Sequence, residues 1–305
     1  MIRVLLIKQT HHRVSVFCLT MPTIGGMNMS YKRVLTIQDI SCVGQCSLTV
    51  ALPILSAAGM ETCILPSAVL STHTAGFSGF TVRDLTEDIP AIAAHWAKEG
   101  IFFDAIYTGY LGSTEQIDYV RDIIRTRSAD GAVSIVDPAM ADNGKLYPAF
   151  NAEYVEAMKR LAFSADIILP NITEAVFLTG AEYREEYDTA YINDLMDRLT
   201  GAGAKTIILT GVGYEPGKTG VVVQDNGIRS YYEHRKIAKG CHGTGDVYAS
   251  AFVGALLRGK TAYEAASLAA DYTLGCIEVT QGDANHWYGV KFELVLPEYI
   301  RMLNS

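Results

Sequence analysis

The turn Gly243-Thr244-Gly245-Asp246 leads straight into a helical pattern that runs from Val247 to Arg258. Glycines let a backbone approach a ligand closely. Amides at a helix start, backed by the positive end of the helix dipole, make a hole for an anion. An aspartate is out of place in a turn that only binds phosphate, since like charges repel. Asp246 makes sense if it takes a proton from an attacking alcohol while the amides of Gly243, Thr244 and Gly245 hold a migrating phosphoryl group. The same residues also read as a glycine-rich turn with Asp246 as a helix cap, and spacing alone leaves both readings open.

Three further places carry polar residues just after an apolar run, where ligands sit in open α/β sheets. Asn171-Ile172-Thr173-Glu174 follows Ile167–Leu169 and Pro170. It reads as a capping box, or as a carboxylate that holds water around Mg²⁺. Asp137-Pro138-Ala139-Met140-Ala141-Asp142 puts two acids in one loop, which suits metal or phosphate geometry and equally an ordinary Asx turn. Thr72-His73-Thr74-Ala75-Gly76-Phe77 and Gly109-Tyr110-Leu111-Gly112-Ser113 combine hydroxyls, an imidazole and aromatics, a set that suits an aromatic ring. A single histidine such as His73 is also commonly structural.

Something must bring these four places together. From Arg33 onward, short β-branched runs alternate with helical patterns. Strands are expected at Val34–Ile37, Thr62–Leu65, Ala105–Tyr107, Ser134–Val136, Ile167–Leu169 and Thr206–Leu209. Helices are expected at Ser47–Ala58, Ile89–Lys98, Thr114–Arg127, Asn151–Phe163 and Thr189–Leu199. Such alternation predicts right-handed βαβ units and a doubly wound, mostly parallel sheet with helices on both faces. Gly220–Val223 and Ser230–Tyr232 flank Asp225-Asn226-Gly227, which predicts an antiparallel hairpin at one sheet edge. Two long helices close the pattern, the second opening at Thr261 with Glu264 as a capping box. No linker divides residues 31–305, so a single α/β domain is expected.

The totals agree. The chain has 305 residues, 49% of them apolar, enough for a sizeable core. With 25 basic and 33 acidic residues its formal net charge is −8, which argues against a nucleic-acid groove. No stretch is long and apolar enough to predict a membrane span. Six cysteines are sparse for this length and read as reduced thiols of a cytosolic protein. Cys42 and Cys46 lack a second pair at zinc-ligand spacing. No Gly-x-Gly-x-x-Gly follows the first strand, which removes the dinucleotide-binding reading.

From about Arg33 to the C terminus the chain resembles the ribokinase superfamily and, within it, the pyridoxal kinases. The resemblance rests on Thr36-Ile37-Gln38, Ser71-Thr72-His73-Thr74, Thr108–Ser113, Asp137-Pro138, Pro170-Asn171 with Glu174, and Gly243–Asp246. It implies a ribokinase-like fold without the separate lid of the sugar kinases. It implies transfer of the γ-phosphoryl group of ATP to the hydroxymethyl group of pyridoxal, pyridoxamine or pyridoxine. Asp246 then matches the catalytic base and Gly243, Thr244 and Gly245 the anion hole. Asp137, Asn171, Glu174 and Thr210 match nucleotide-binding positions, and Asp137, Asp142 and Glu174 lie near Mg²⁺. His73, Thr74 and Tyr110 match the acceptor pocket. Cys241, two residues before the turn, would lie close to the pyridoxal aldehyde as an activated thiol or as a small apolar filler. The resemblance further implies a homodimer in the cytoplasm, with room for a monovalent cation such as K⁺.

The chain departs from that family at three places. Asp39 stands where the family has a serine facing the pyridine nitrogen, and could pair with a pyridinium. Ala139-Met140-Ala141 replaces a segment ending in glycine, and Leu169 replaces a threonine. The nearest alternative, hydroxymethylpyrimidine kinase, has a Gly-Gly-Ala-Gly stretch where this chain has Gly44-Gln45-Cys46-Ser47. A non-catalytic B6-binding protein would need neither Asp246 nor Glu174.

Residues 1–30 show no apolar run of signal-peptide length and no amphipathic pattern, and are expected to be a loosely packed extension from an upstream start. A chain begun at Met29 is therefore expected to keep its activity and melting temperature. A large drop in melting temperature on that truncation would show the extension to be structural.

Overall fold

The structure, a computed structural model, describes residues 3–10, 13–20, 31–237 and 241–305. Two compact units divide at Ser30 and Tyr31. In the first, β1 (Arg3–Thr10) and β2 (Arg13–Thr20) pair antiparallel, with Arg3 opposite Thr20. Where no regular element was expected, two short runs rich in Val, Leu and Ile thus form a hairpin, in keeping with their strand propensity. The remainder of the expected loose segment lies outside the described residues.

The second unit opens with β3 (Arg33–Ser41), α1 (Leu48–Ala57), β4 (Glu61–Leu70) and β5 (Val82–Asp84). It continues with α2 (Ile89–Lys98), β6 (Phe103–Thr108), α3 (Thr114–Arg127) and β7 (Ser128–Val136). The small pair β8 (Ala141–Asp142) and β9 (Lys145–Leu146) precedes α4 (Ala152–Ala162), β10 (Ile167–Ile168) and α5 (Ile172–Thr179). Then come α6 (Thr189–Gly201), β11 (Thr206–Val212), β12 (Lys218–Asp225) and β13 (Ile228–Arg235). The helices α7 (Thr244–Leu257), α8 (Ala262–Thr280) and α9 (Leu296–Leu303) complete the chain.

Nine strands form one sheet in the order β13-β12-β11-β10-β7-β6-β3-β4-β5. The six from β11 to β4 run parallel. The β12–β13 hairpin lies antiparallel at one edge, as its Asn226-Gly227 turn predicts. The other edge also closes antiparallel, through β5 against β4. Three residues without alternation gave β5 no periodic signal.

Both faces of the sheet are covered. Leu35 and Ile37 of β3 face a core built with α2 to α6, while Val34 faces the core built with α1, α7, α8 and α9. This one-residue alternation is what a strand buried on both faces requires. Neighbours of β3 were added on opposite sides, β4 on one and β6 on the other. That change of direction opens a crevice beyond the carboxyl ends of β3 and β6.

Gln116, wholly buried in α3, ties the rim of this crevice to the edge strands. Its Oε1 accepts from the Gly112 amide at 2.7 Å, and its Nε2 donates to the Ser67 carbonyl at 3.0 Å and to Thr86 Oγ1 at 2.8 Å. Gln116→Leu keeps the bulk but strands these partners. It is expected to cost about 1–3 kcal/mol in urea unfolding, because buried polar groups left unpaired carry their full desolvation penalty. An unchanged urea midpoint would mean that water replaces the side chain there.

Candidate active site

Four loops and one helix start meet at the crevice. Gly243 caps α7 with φ 75°, and a Cβ built there runs into the carbonyl oxygen of Gln45. Only glycine meets both demands, so the turn closes against the loop that follows β3. The first amides of α7 have no partner inside the helix. Asp246 lies in this first turn.

The Asp246 carboxyl is pushed up to about 7, chiefly by removal from water; the nearby charges of Asp137 and Asp39 add to the rise, and the Ser47 amide opposes it. Beneath it, on the same face of α7, Ser250 is wholly buried beside the Tyr107 hydroxyl, which Gln38 also approaches. Burial drives the Tyr107 hydroxyl far above its ordinary range, so it stays protonated.

Asp137 follows β7 and turns its Oδ1 to the Ala139 amide at 3.1 Å. Its carboxyl is driven well up by burial and by negative Glu174. Glu174 is 3% exposed. Its Oε2 accepts from the Asn171 amide at 2.9 Å and its Oε1 from the Met140 amide at 3.1 Å, yet burial still holds its carboxyl above the usual range. The capping-box reading of Asn171 and Glu174 is realised in full, since Asn171 Oδ1 accepts from the Glu174 amide at 2.9 Å. Asn171 Nδ2 also donates to the Ala141 carbonyl at 2.9 Å, which ties the cap to the acidic loop. Thr210 joins the same corner, its amide donating to the Pro170 carbonyl at 2.9 Å. Asp142 is exposed, and its oxygens accept from the Asn143 amide at 2.8 Å and the Asn143 side chain at 3.0 Å. Asp137, Asp142 and Glu174 do not form a metal-holding trio, and no three His, Cys, Asp or Glu residues do so among the described residues.

On the other side of the crevice, His73 is 5% exposed and fully engaged. Its Nε2 meets the Tyr288 carbonyl at 2.6 Å and its Nδ1 meets the Ala75 amide at 3.2 Å. A carbonyl only accepts and an amide only donates, so the ring is neutral with its proton on Nε2. His73 is thus held in place by hydrogen bonds on both ring nitrogens, at the side of the crevice. Tyr110 is half-buried near Phe150, with ring centroids 5.4 Å apart, while Thr74 is exposed. Cys241 is half-buried and packs against the α7–α8 core, in keeping with a small apolar filler.

Sequence reasoning missed the segment between α8 and α9. His286 Nε2 donates to Gln45 Oε1 at 2.7 Å, and Trp287 lies 4.6 Å from Phe77, centroid to centroid. These residues wall the pocket from a distant part of the chain, and no local spacing announces them. His242 was also passed over, though its ring stands 5.7 Å from His73, beside Gly243.

Comparison with known proteins follows this geometry. The profile of the family described as Phosphomethylpyrimidine kinase matches residues 53–290. The chain belongs to this family. Among solved members, the pyridoxal kinase of Lactobacillus plantarum is 31% identical, with a TM-score of 0.83 over 90% of this chain and 98% of that one. A candidate phosphomethylpyrimidine kinase from Bacteroides thetaiotaomicron, solved with pyridoxal, is 34% identical, with a TM-score of 0.82 over 90% of this chain and 96% of that one. The pyridoxine/pyridoxal/pyridoxamine kinase of Bordetella bronchiseptica is 28% identical over 81% of this chain and 89% of its own length. The fold expected from the resemblance to the ribokinase superfamily is thus the family's fold.

In this member of the family, Gly243→Ala adds a methyl against the Gln45 carbonyl at a positive φ. The turn must shift, and its amides with it. A fall in kcat of about 10²–10³ is expected, the scale of losing an oxyanion donor. Steady-state kinetics and a melting curve together check this, and near-normal kcat would show that the amides do not hold the transferring group.

Proposed function

We infer that the chain is an ATP-dependent kinase that phosphorylates the hydroxymethyl group of pyridoxal and related B6 vitamers. The observation that carries the reading is Asp246, an acid poised near neutrality in the first turn of α7, whose first amides have no partner inside the helix. The acceptor alcohol must lose its proton as the new P–O bond forms. Asp246 takes that proton, and the amides of Gly243, Thr244 and Gly245 stabilise charge on the transferring phosphoryl group. The neutral wall of His73, with Tyr110 opposite, fits a flat aromatic acceptor.

Asp137, Asn171, Glu174 and Thr210 form the corner assigned to the nucleotide phosphates. Asp137 and Glu174 are neighbouring acids whose carboxyls burial raises, so their negative charge is costly there and a cation would offset it. Mg²⁺ would be held there by Asp137 and Glu174 and would neutralise phosphate charge. A monovalent cation, a homodimer and a cytoplasmic location are part of the same proposal and rest on the family resemblance. Hydroxymethylpyrimidine phosphorylation is the second reading, favoured by the name of the matching family.

A coupled ADP-release assay with pyridoxal, pyridoxamine, pyridoxine and hydroxymethylpyrimidine separates the two. B6 vitamers are expected to turn over best, and turnover confined to hydroxymethylpyrimidine would reverse the assignment. Gly243, not Asp246, is the cap of α7, so the cap reading of Asp246 does not hold. Asp246→Asn removes basicity while nearly keeping the shape of the side chain. It is expected to cut kcat by about 10²–10⁴ with the melting curve nearly unchanged. The base works only when deprotonated, so log kcat/KM should fall with decreasing pH once pH drops below about 7. A few-fold loss in Asp246→Asn would mean that the base lies elsewhere.

A further inference from the structure

Ser47 is held in backbone geometry that serine does not favour. As the residue before α1 it has φ 55° and ψ −129°, a conformation that glycine adopts freely. It is 5% exposed, and its hydroxyl and carbonyl are both committed. The hydroxyl donates to Asp39 Oδ1 at 2.6 Å. The carbonyl accepts from the amides of Val50 at 3.0 Å and Ala51 at 2.9 Å, starting α1. The amide lies close enough to the Asp246 carboxyl to oppose the rise that burial causes there. Asp39 in turn is 6% exposed, and its Oδ2 accepts from Ser41 Oγ at 3.1 Å.

Strained backbone persists only where its surroundings over-determine it, and such residues gather at functional sites. The positive φ is what lets one residue send its amide toward Asp246, its hydroxyl toward Asp39 and its carbonyl into α1. A hydroxyl bound to a carboxylate at this length is a charge-assisted bond, about twice as strong as a neutral one. Asp39 supplies that bond, and with both oxygens occupied by serine hydroxyls it is tied to β3 and α1 rather than turned wholly to the pocket.

We propose that Asp39 and Ser47 form one positioning unit for the general base: Asp39 fixes the Ser47 hydroxyl, and Ser47 so fixed aims its amide at Asp246. This rests on the kinase reading above. It gives Asp39 a role exerted through Ser47, in place of a contact to a ring nitrogen.

The test is a double-mutant cycle with Asp39→Ala, Ser47→Ala and the pair, measured on the full chain with ATP and with pyridoxal or pyridoxine as acceptor. Each single change is expected to lower kcat by about tenfold to a hundredfold, the value of a hydrogen bond to a charged group, with KM changed much less. The double variant should be no slower than the slower single, because the second change removes nothing further. Asp39→Asn keeps an oxygen for Ser47 and should recover part of the kcat lost in Asp39→Ala. Ser47→Gly should melt no lower than Ser47→Ala, since glycine tolerates the backbone, yet remain slow. Multiplying losses in the double variant would overturn the unit. So would a change in pyridoxal-to-pyridoxine preference in Asp39→Ala that Ser47→Ala lacks, since Asp39 would then read the ring by itself. Should the unmutated chain phosphorylate no B6 vitamer, the functional reading fails, and additive shifts in melting temperature across the same cycle still decide against the unit.

Discussion

Negative charge withdrawn from water is the constraint on which this site depends. Asp39, Asp137, Glu174 and Asp246 all have carboxyls raised above their usual range, with burial the first cause in each. Backbone amides and serine hydroxyls oppose the rise but do not cancel it. An acid held above its unfolded value favours the folded state only while it carries its proton. For Asp246 the shift runs from 3.8 to about 7, so stability from this group falls as pH rises through that interval. The protein thus carries an electrostatic cost at neutral pH in this corner. On the proposed function, a bound cation would offset that cost, and proton acceptance by Asp246 would offset it during the reaction. The unfavourable charge density and the chemistry are one arrangement.

The loop 42–47 transmits this constraint to the fold. Gly44 has φ 109°, and a Cβ there would strike the His73 ring. Gln45 gives its carbonyl to the close approach of Gly243, its Oε1 to His286 and its Nε2 to Glu293 at 2.9 Å. Cys46 lies near Asp246 and Asp39, and burial with those charges pushes its thiol far up, so it packs as a neutral group. Acceptor wall, anion turn and C-terminal segment are therefore keyed to six consecutive residues.

Much of this was legible in the sequence. Ile89–Lys98 and Thr114–Arg127 were placed to the residue, because each has a clear apolar period and a defined stop. The β12–β13 hairpin was announced by Asn226-Gly227, and the capping boxes at Asn171 and Thr261 by a Glu three residues on. Strands were found but drawn short: Thr62–Leu65 is the start of a strand that runs on to Leu70, past Pro66 and Ser67, which break the apolar run. The turn Gly243–Asp246 was legible as a helix start, while spacing alone left its role open until it was seen to close against Gln45. The contacts of His73, the joining of Gln45 to His286, and the strain at Ser47 were not. Each joins residues far apart in the chain, or depends on a backbone angle that serine does not advertise.

The two halves of the site are held by different physics, which explains why one was easier to read. The nucleotide corner is made of local rules: a cap, a capping box, amides at a helix start. Such rules recur at fixed spacings and survive in a one-dimensional text. The opposite wall is made of contacts between distant segments, with Phe77 packed against Trp287 and His73 hydrogen-bonded to the Tyr288 carbonyl. Packing tolerates any side chain of suitable shape, so it leaves no fixed spacing behind. Among B6 vitamers and hydroxymethylpyrimidine the ring and its substituents differ while the hydroxymethyl group is common to all. The phosphoryl-transfer machinery can then stay constant while the wall decides the acceptor. On the proposed function, reaction type would be set by the turn before α7 and acceptor choice by the loops at 42–47, 72–77 and 283–290.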